Sequence, residues 1–184
     1  TDNQITLDAP VVHAIEAVYG GARIYHYELQ YQEQVVETEN IGVENLRFES
    51  VFASEEDEDH GRHAIEMHRV RNAWARQITS EYFWQGTINI EHQATQITVE
   101  DCAAIHPKGT LAGRRRYPFH IDKSTNILFQ RCFAEDFRHS FASGSRTGGP
   151  NVFVDGLALT SYNDIGPHHR FSTGGLYDNI YTNV

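Results

Sequence analysis

Apolar and polar residues along this chain alternate with a period of two, in short runs of β-branched and aromatic side chains bounded by Gly, Asn and Asp. Helical spacing is hard to find beyond residues 13–18. The pattern predicts strands almost throughout. Stacking the runs exposes a repeat: Ala64-Ile-Glu-Met-His, Thr87-Ile-Asn-Ile-Glu, Pro118-Phe-His-Ile-Asp, Ser140-Phe-Ala-Ser-Gly and Arg170-Phe-Ser-Thr-Gly, with starts 23, 31, 22 and 30 residues apart.

A second strand follows each opening strand after a short turn: Trp74-Ala-Arg-Gln-Ile, Ile97-Thr-Val-Glu-Asp-Cys, Ile127-Leu-Phe-Gln-Arg-Cys and Asn151-Val-Phe-Val-Asp-Gly. The stretch from Ile41 repeats the same pattern one coil earlier. Strand pairs returning every 20 to 30 residues or so, with variable insertions, predict a solenoid whose coils bury an inner face only by stacking. The expected fold is therefore all-β, a right-handed parallel β-helix of about six coils. Residues 41–184 form the coils, and residues 1–40 form an N-terminal cap or first coils, with 11–19 as an amphipathic capping helix. An antiparallel sandwich is the alternative, but it does not require one pattern to return in phase. Insertions at 104–116 and 160–169 are expected to leave the same part of alternate coils, where loops carry binding sites. Cys102 and Cys132 fall at equivalent positions, so they stack as a disulfide or as a ladder of buried thiols. No cap is visible at Asn183-Val184, so further coils or a subunit are expected to cover the open end.

Composition narrows the function. The 184 residues carry 25 acidic and 15 basic side chains, a net charge of −10, which argues against nucleic acid as a partner. The balance is uneven. Residues 1–103 hold 19 acidic and 6 basic groups, whereas residues 104–184 hold 6 acidic and 9 basic groups with five of the eleven histidines. No run is apolar enough for a membrane span and the start lacks the pattern of a signal peptide. The two cysteines form no Cys-x-x-Cys motif for zinc or redox chemistry.

Residues at one phase of successive coils form a column on the surface. The pairs before each opening strand read Arg62-His63, Gln85-Gly86, Arg116-Tyr117, Arg138-His139 and His168-His169, with Arg114, Arg115, Lys123, Arg146 and Arg170 close by. Unrelated solvated charges are the plain alternative. A phased strip of Arg and His suits a linear polyanion with one carboxylate per sugar, because Arg offers forked donors and His can titrate. The acidic run 55–60 reads either as a solvated loop or as oxygen ligands for calcium, Asp57 and Asp59 foremost.

Several segments resemble secreted bacterial pectate-lyase-like right-handed β-helix proteins. These are Gly42-Val-Glu-Asn-Leu-Arg-Phe-Glu-Ser, Asp57-Glu-Asp-His, Asn72-Ala-Trp-Ala-Arg-Gln, Ile97-Thr-Val-Glu-Asp-Cys, Phe129-Gln-Arg-Cys, Arg138-His, Gly149-Pro-Asn-Val-Phe-Val and Gly166-Pro-His-His-Arg followed by Thr173-Gly-Gly-Leu-Tyr-Asp-Asn-Ile. The resemblance covers residues 40–184 and implies work on polysaccharide outside the cytoplasm, at the cell surface or in the periplasm. The Asn-Thr-Asp, Asp-Asp and Gly-His-Gly set of polygalacturonases is absent, and Arg116-Tyr-Pro-Phe-His matches the Arg-x-Pro-x-x-Arg pattern of pectate lyases only up to Ile121, where the second Arg would stand.

The leading expectation is a lyase that cleaves an acidic, uronic-acid-containing polysaccharide by β-elimination. Arg116 and Arg138, or calcium, would neutralise the carboxylate, His139, His168 or His169 would take the proton, and Tyr117 or Tyr162 would protonate the leaving oxygen. Arg115, Lys123, Arg146 and Arg170 would hold the chain. A non-catalytic glycan-binding or structural β-helix of adhesin or tail-fibre type is the second reading. A glycoside hydrolase, with Asp155 and Asp164 as its carboxylates, is the third.

Overall fold

A computed structural model describes residues 4–26, 30–31, 34–35 and 38–183. The parts of the 1–40 segment at 1–3, 27–29, 32–33 and 36–37, and Val184 at the expected open end, lie outside the described residues. The chain is a parallel β-helix. Among the described residues only β1 (Gln30–Tyr31) and β2 (Gln34–Val35) pair antiparallel.

Each coil places one strand in a five-stranded parallel sheet: β4 (His63–His68), β6 (Gly86–Glu91), β9 (Phe119–Asp122), β12 (Phe141–Ser143) and β15 (Gly166–Pro167). The second sheet takes the rest of each coil. It begins with the long strands β3 (Thr38–Glu49) and β5 (Val70–Glu81), then the pairs β7 (Thr95–Glu100) and β8 (Ala103–Ile105), β10 (Thr125–Gln130) and β11 (Phe133–Glu135), β13 (Gly148–Val154) and β14 (Leu157–Leu159), and β16 (Thr173–Asp178) and β17 (Tyr181–Thr182). Parallel pairing throughout the two main sheets excludes the antiparallel sandwich.

The register explains the sequence pattern. In the smaller sheet Ile88, Phe119 and Phe141 occupy one inward column, and Met67, Ile90 and Ile121 another. In the larger sheet Ala75, Val99, Phe129, Phe153 and Tyr177 stack in one inward column. Phe129 lies on Phe153 at 5.0 Å and 12°, and Phe153 on Tyr177 at 5.0 Å and 19°, close to the strand spacing itself. Ala104, Ala134 and Ala158 line up behind them and keep the cross-section narrow.

The turn inside the larger sheet is set by one left-handed residue per coil. Asn45, Gln77, Asp101, Arg131, Asp155 and Asn179 have φ between 49° and 56° and lie at one phase. Asn and Asp tolerate this region, and they hold four of the six positions. Arg131 gains two hydrogen bonds to the Asp101 carboxylate, at 2.7 and 2.9 Å. Cys102 and Cys132 follow directly after this turn, stacked on each other as free, buried thiols and not as a disulfide.

Two expectations change. The last coil opens at β15, so Ile165 and not Phe171 occupies the phase of Phe141, and Phe171 is 68% exposed. Residues 11–19 hold only a single 3-10 turn at Ala17–Tyr19, so the expected capping helix does not form. Residues 8–13 lie along the outer face of the larger sheet, where the His13 ring stacks on Phe171 at 5.6 Å, Val12 meets Gly174, and Asp8 and Ala9 border β7, β10 and β13.

Because Phe129 is packed on both coil neighbours and fully enclosed, Phe129→Ala is expected to cost about 3–5 kcal/mol in urea unfolding. A loss below about 1 kcal/mol would show that the stack carries no such energy.

Candidate functional site

Outward positions of the smaller sheet build the floor of a cleft. Along β9 the alternation turns Phe119 and Ile121 inward and His120 and Asp122 outward. The next two strands offer only Ala142, Gly144 and Gly166 at these levels, so the floor drops beside His120. A Cβ at Gly144 would sit 2.5 Å from an Asp122 oxygen. The resulting cleft holds about 680 Å³. Arg114 and Tyr117 wall it from the loop after β8, Ser145 and Arg146 from the turn after β12, and His168, His169 and Arg170 from the segment after β15. Arg62, Gln85 and Lys123 complete the rim.

The electrostatics are one-sided. Five cations, Arg62, Arg114, Lys123, Arg146 and Arg170, face one carboxylate, Asp122, which Lys123 already pairs at 2.8 Å. None of the four arginines forms an ion pair among the described residues. Elsewhere Arg47, Arg71, Arg76, Arg115 and Arg131 all meet carboxylates. Uncompensated charge of one sign in a concave wall concentrates ligands of the other sign.

His120 is the titratable group on the floor. Its Nδ1–H donates to the Asn89 carboxamide oxygen at 2.9 Å, which leaves Nε2 with a lone pair and no partner among the described residues. Burial pushes the imidazole down to about 4, assisted by His63, His168 and His169 and opposed by Asp122, so it is neutral at pH 7. The Tyr117 ring meets His120 edge-on at 5.5 Å, and burial raises its hydroxyl above the ordinary value, keeping it protonated. Arg138 reaches that hydroxyl at 3.4 Å.

The residues expected from sequence divide into three groups. Tyr117, Lys123, Arg146, His168, His169 and Arg170 line the cleft. The histidine pair reaches it from a different phase than expected, after β15 and not before an opening strand. Arg138 and His139 lie behind the wall. His139 is fully buried, stacks on Tyr117 at 4.8 Å, accepts from Arg138 at Nε2 and donates from Nδ1 to the Asp164 carbonyl, so neither nitrogen is free to take a proton.

Arg115, Arg116 and Tyr162 serve the scaffold. Arg115 grips the Glu58 carboxylate with two donors at 2.7 and 2.8 Å, and Lys108 holds Glu55, which fastens the acidic loop onto the loop after β8. Arg116 is buried and donates to the Asp136 and Gly109 carbonyls. The Tyr162 hydroxyl donates to Asp136. Asp155 lies on the turn between β13 and β14, whereas Asp164 lies beside His139, so the pair weighed for hydrolysis is divided between two parts of the coil.

Calcium needs six to eight oxygens. The Asp57 carboxylate accepts the Ala53 and Asp59 backbone amides with its two oxygens, and its acidic neighbours Glu55 and Glu58 are paired with Lys108 and Arg115. In the cleft Asp122 stands among cations. The described residues therefore do not fit a calcium ion at either place.

Sequence reasoning missed His120. The alternation Phe-His-Ile-Asp carried the signal, since two inward apolar residues oblige His120 and Asp122 to face outward.

Over most of its length the chain is similar to pectate lyase A. Two curated relatives, both described as probable pectate lyase A and from Aspergillus flavus and Aspergillus oryzae, are each 27% identical over 159 residues, covering 82% of this chain and 40% of theirs. These relatives are fungal, whereas the motifs resemble bacterial members. The chain thus spans less than half the length of the curated relatives it matches. No family model and no solved structure matches.

The depressed histidines make stability pH-dependent. His63 and His120 both titrate at about 4 in the folded state against an ordinary 6.5, so the unfolded chain binds more protons between these values. Stability is full above pH 6.5 and falls as pH drops toward 4, by up to about 3 kcal/mol per group. Urea unfolding across this range should show a shallower slope for His120→Gln; an unchanged slope would contradict the assignment.

Proposed function

We propose that the cleft binds a uronic-acid-containing polysaccharide and cleaves it by β-elimination, acting outside the cytoplasm. The reading is carried by one observation: an uncommitted imidazole nitrogen, His120 Nε2, on the floor of a cleft rimmed by uncompensated arginines. Similarity to pectate lyase A supports it.

β-Elimination removes the proton on C5 of the uronate, leaves the electron pair delocalised into the carboxylate, and then breaks the bond from C4 to the glycosidic oxygen. Three services are needed. Neutralising the carboxylate makes the C5 proton acidic, and Arg114, Arg146 and Arg170 provide the positive charge. A neutral base takes the proton, and His120 is held in that form with its lone pair at Nε2. An acid protonates the departing oxygen, and the buried Tyr117 hydroxyl retains its proton for that step. The Arg138 guanidinium beside it stabilises the phenolate that forms. Asn89 and His139 are positioning residues, the first fixing the His120 tautomer and the second backing the Tyr117 ring.

The assignment leaves charge neutralisation to arginine and lysine, so turnover is expected to be independent of calcium. The full chain, incubated with pectate, alginate, ulvan and glycosaminoglycan, should release products bearing the ultraviolet chromophore of an unsaturated uronate on at least one of them, with or without a calcium chelator. His120→Ala and Tyr117→Phe should each lower kcat by about 10²-fold or more at little change in KM, whereas Arg146→Ala and Arg170→Ala should chiefly raise KM. Binding without any unsaturated product would assign the cleft to glycan capture alone, and abolition by chelator would restore calcium to the mechanism.

A further inference from the structure

A second cluster of ligating groups lies on the same sheet, one strand beyond the cleft. His68, at the end of β4, is in register with Glu91, at the end of β6, and His92 follows in the turn. His68 Nε2 lies 2.9 Å from Glu91 Oε1, His92 Nε2 lies 3.3 Å from the same oxygen, and Glu66 Oε2 lies 3.7 Å from His68 Nε2. The ligand atoms of His68, Glu91 and His92 all fall within 4.8 Å of one another. We propose that His68, Glu91 and His92 bind a zinc ion that ties two adjacent coils together.

Two observations favour a metal over a simple hydrogen-bonded cluster. His68 Nε2 is shut off from solvent yet has no hydrogen-bond partner among the described residues, because its close approach to Glu91 is not aligned as a hydrogen bond. Coordination would satisfy this buried nitrogen. The spacing also fits. A tetrahedral zinc with bonds of about 2.1 Å separates its ligand atoms by about 3.4 Å, and the contacts of 2.9 and 3.3 Å lie just inside that length. Two imidazoles with one carboxylate form a nitrogen and oxygen set that suits zinc and is too poor in oxygen for calcium. Glu66 stands outside this ligand set, one oxygen 3.7 Å from His68 Nε2 and the other accepting from His63 Nδ1 at 2.5 Å, and adds negative charge beside the cation.

The cluster of His139, Asp164 and His168 is a weaker site despite a similar composition. Both His139 nitrogens are already hydrogen-bonded, one of them to the Arg138 guanidinium, whose charge opposes a cation.

The test uses the full chain, stripped with chelator and titrated with zinc by calorimetry. One equivalent should bind, the melting temperature should rise by roughly 5 °C at a hundredfold excess over Kd, and cobalt should give the intense visible bands of tetrahedral coordination. His92→Ala and Glu91→Gln should each abolish these signals while keeping the wild-type circular dichroism, and His168→Ala should leave them intact. Absence of binding overturns the proposal, as does binding that survives both His92→Ala and Glu91→Gln or disappears with His168→Ala. Glycan cleavage enters none of these readouts, so the result is independent of the lyase reading.

Discussion

Everything in this molecule depends on coils stacking in register at the spacing of hydrogen-bonded parallel strands. Each inward side chain must pack on the residue of the same phase in the coils above and below. Like residues therefore accumulate in columns, as with the aromatic stack from Phe129 to Tyr177 and the alanines 104, 134 and 158. The left-handed residue at the turn belongs to the same constraint. If one coil turned a residue early, every later inward position would face solvent.

The outside is free of that rule, and the site exploits it. Outward columns need not repeat, so a floor can pass from Asn89 and His120 to Ala142 and Gly166 within four strands and open a depression. Loops leaving between β8 and β9 then raise a wall. They are anchored by buried charge: the run Arg114, Arg115, Arg116 sends one side chain to the cleft, one to Glu58 and one to backbone carbonyls beneath the wall. Three identical neighbours thus do three different tasks. The sequence shows the run, while only the fold distributes it.

That distinction marks how far the sequence was legible. Inward columns were readable because stacking forces similarity between coils, and the same logic placed Cys102 on Cys132. The last coil is hidden in the sequence because Arg170-Phe-Ser-Thr-Gly imitates Ser140-Phe-Ala-Ser-Gly, although β15 is only two residues long and the core position before it is filled by Ile165. The charged residues before each strand repeat, and repetition is a sign of packing. Arg116 and His139, at repeated positions, proved structural. His120 breaks its column, with Asn89 and Ala142 as neighbours, and it carries the free lone pair.

The charge asymmetry follows from the same separation of roles. Acidic residues predominate in the first coils, but many are spent internally: Glu39, Glu44, Glu81, Glu100 and Asp101 face arginines across adjacent strands, and Glu55 and Glu58 fasten a loop. Exposed pairs of this kind contribute little to stability, with a median of about 0–1 kcal/mol. Their larger effect is to cancel the field on the sheet that faces away from the cleft. In the later coils Arg114, Arg146 and Arg170 have no such partners among the described residues, and these gather on one concave surface. A net charge of −10 therefore coexists with a cationic cleft, since neutralised carboxylates count in the sum but hardly project into solvent. A polyanion approaching this molecule meets the local arrangement and not the total.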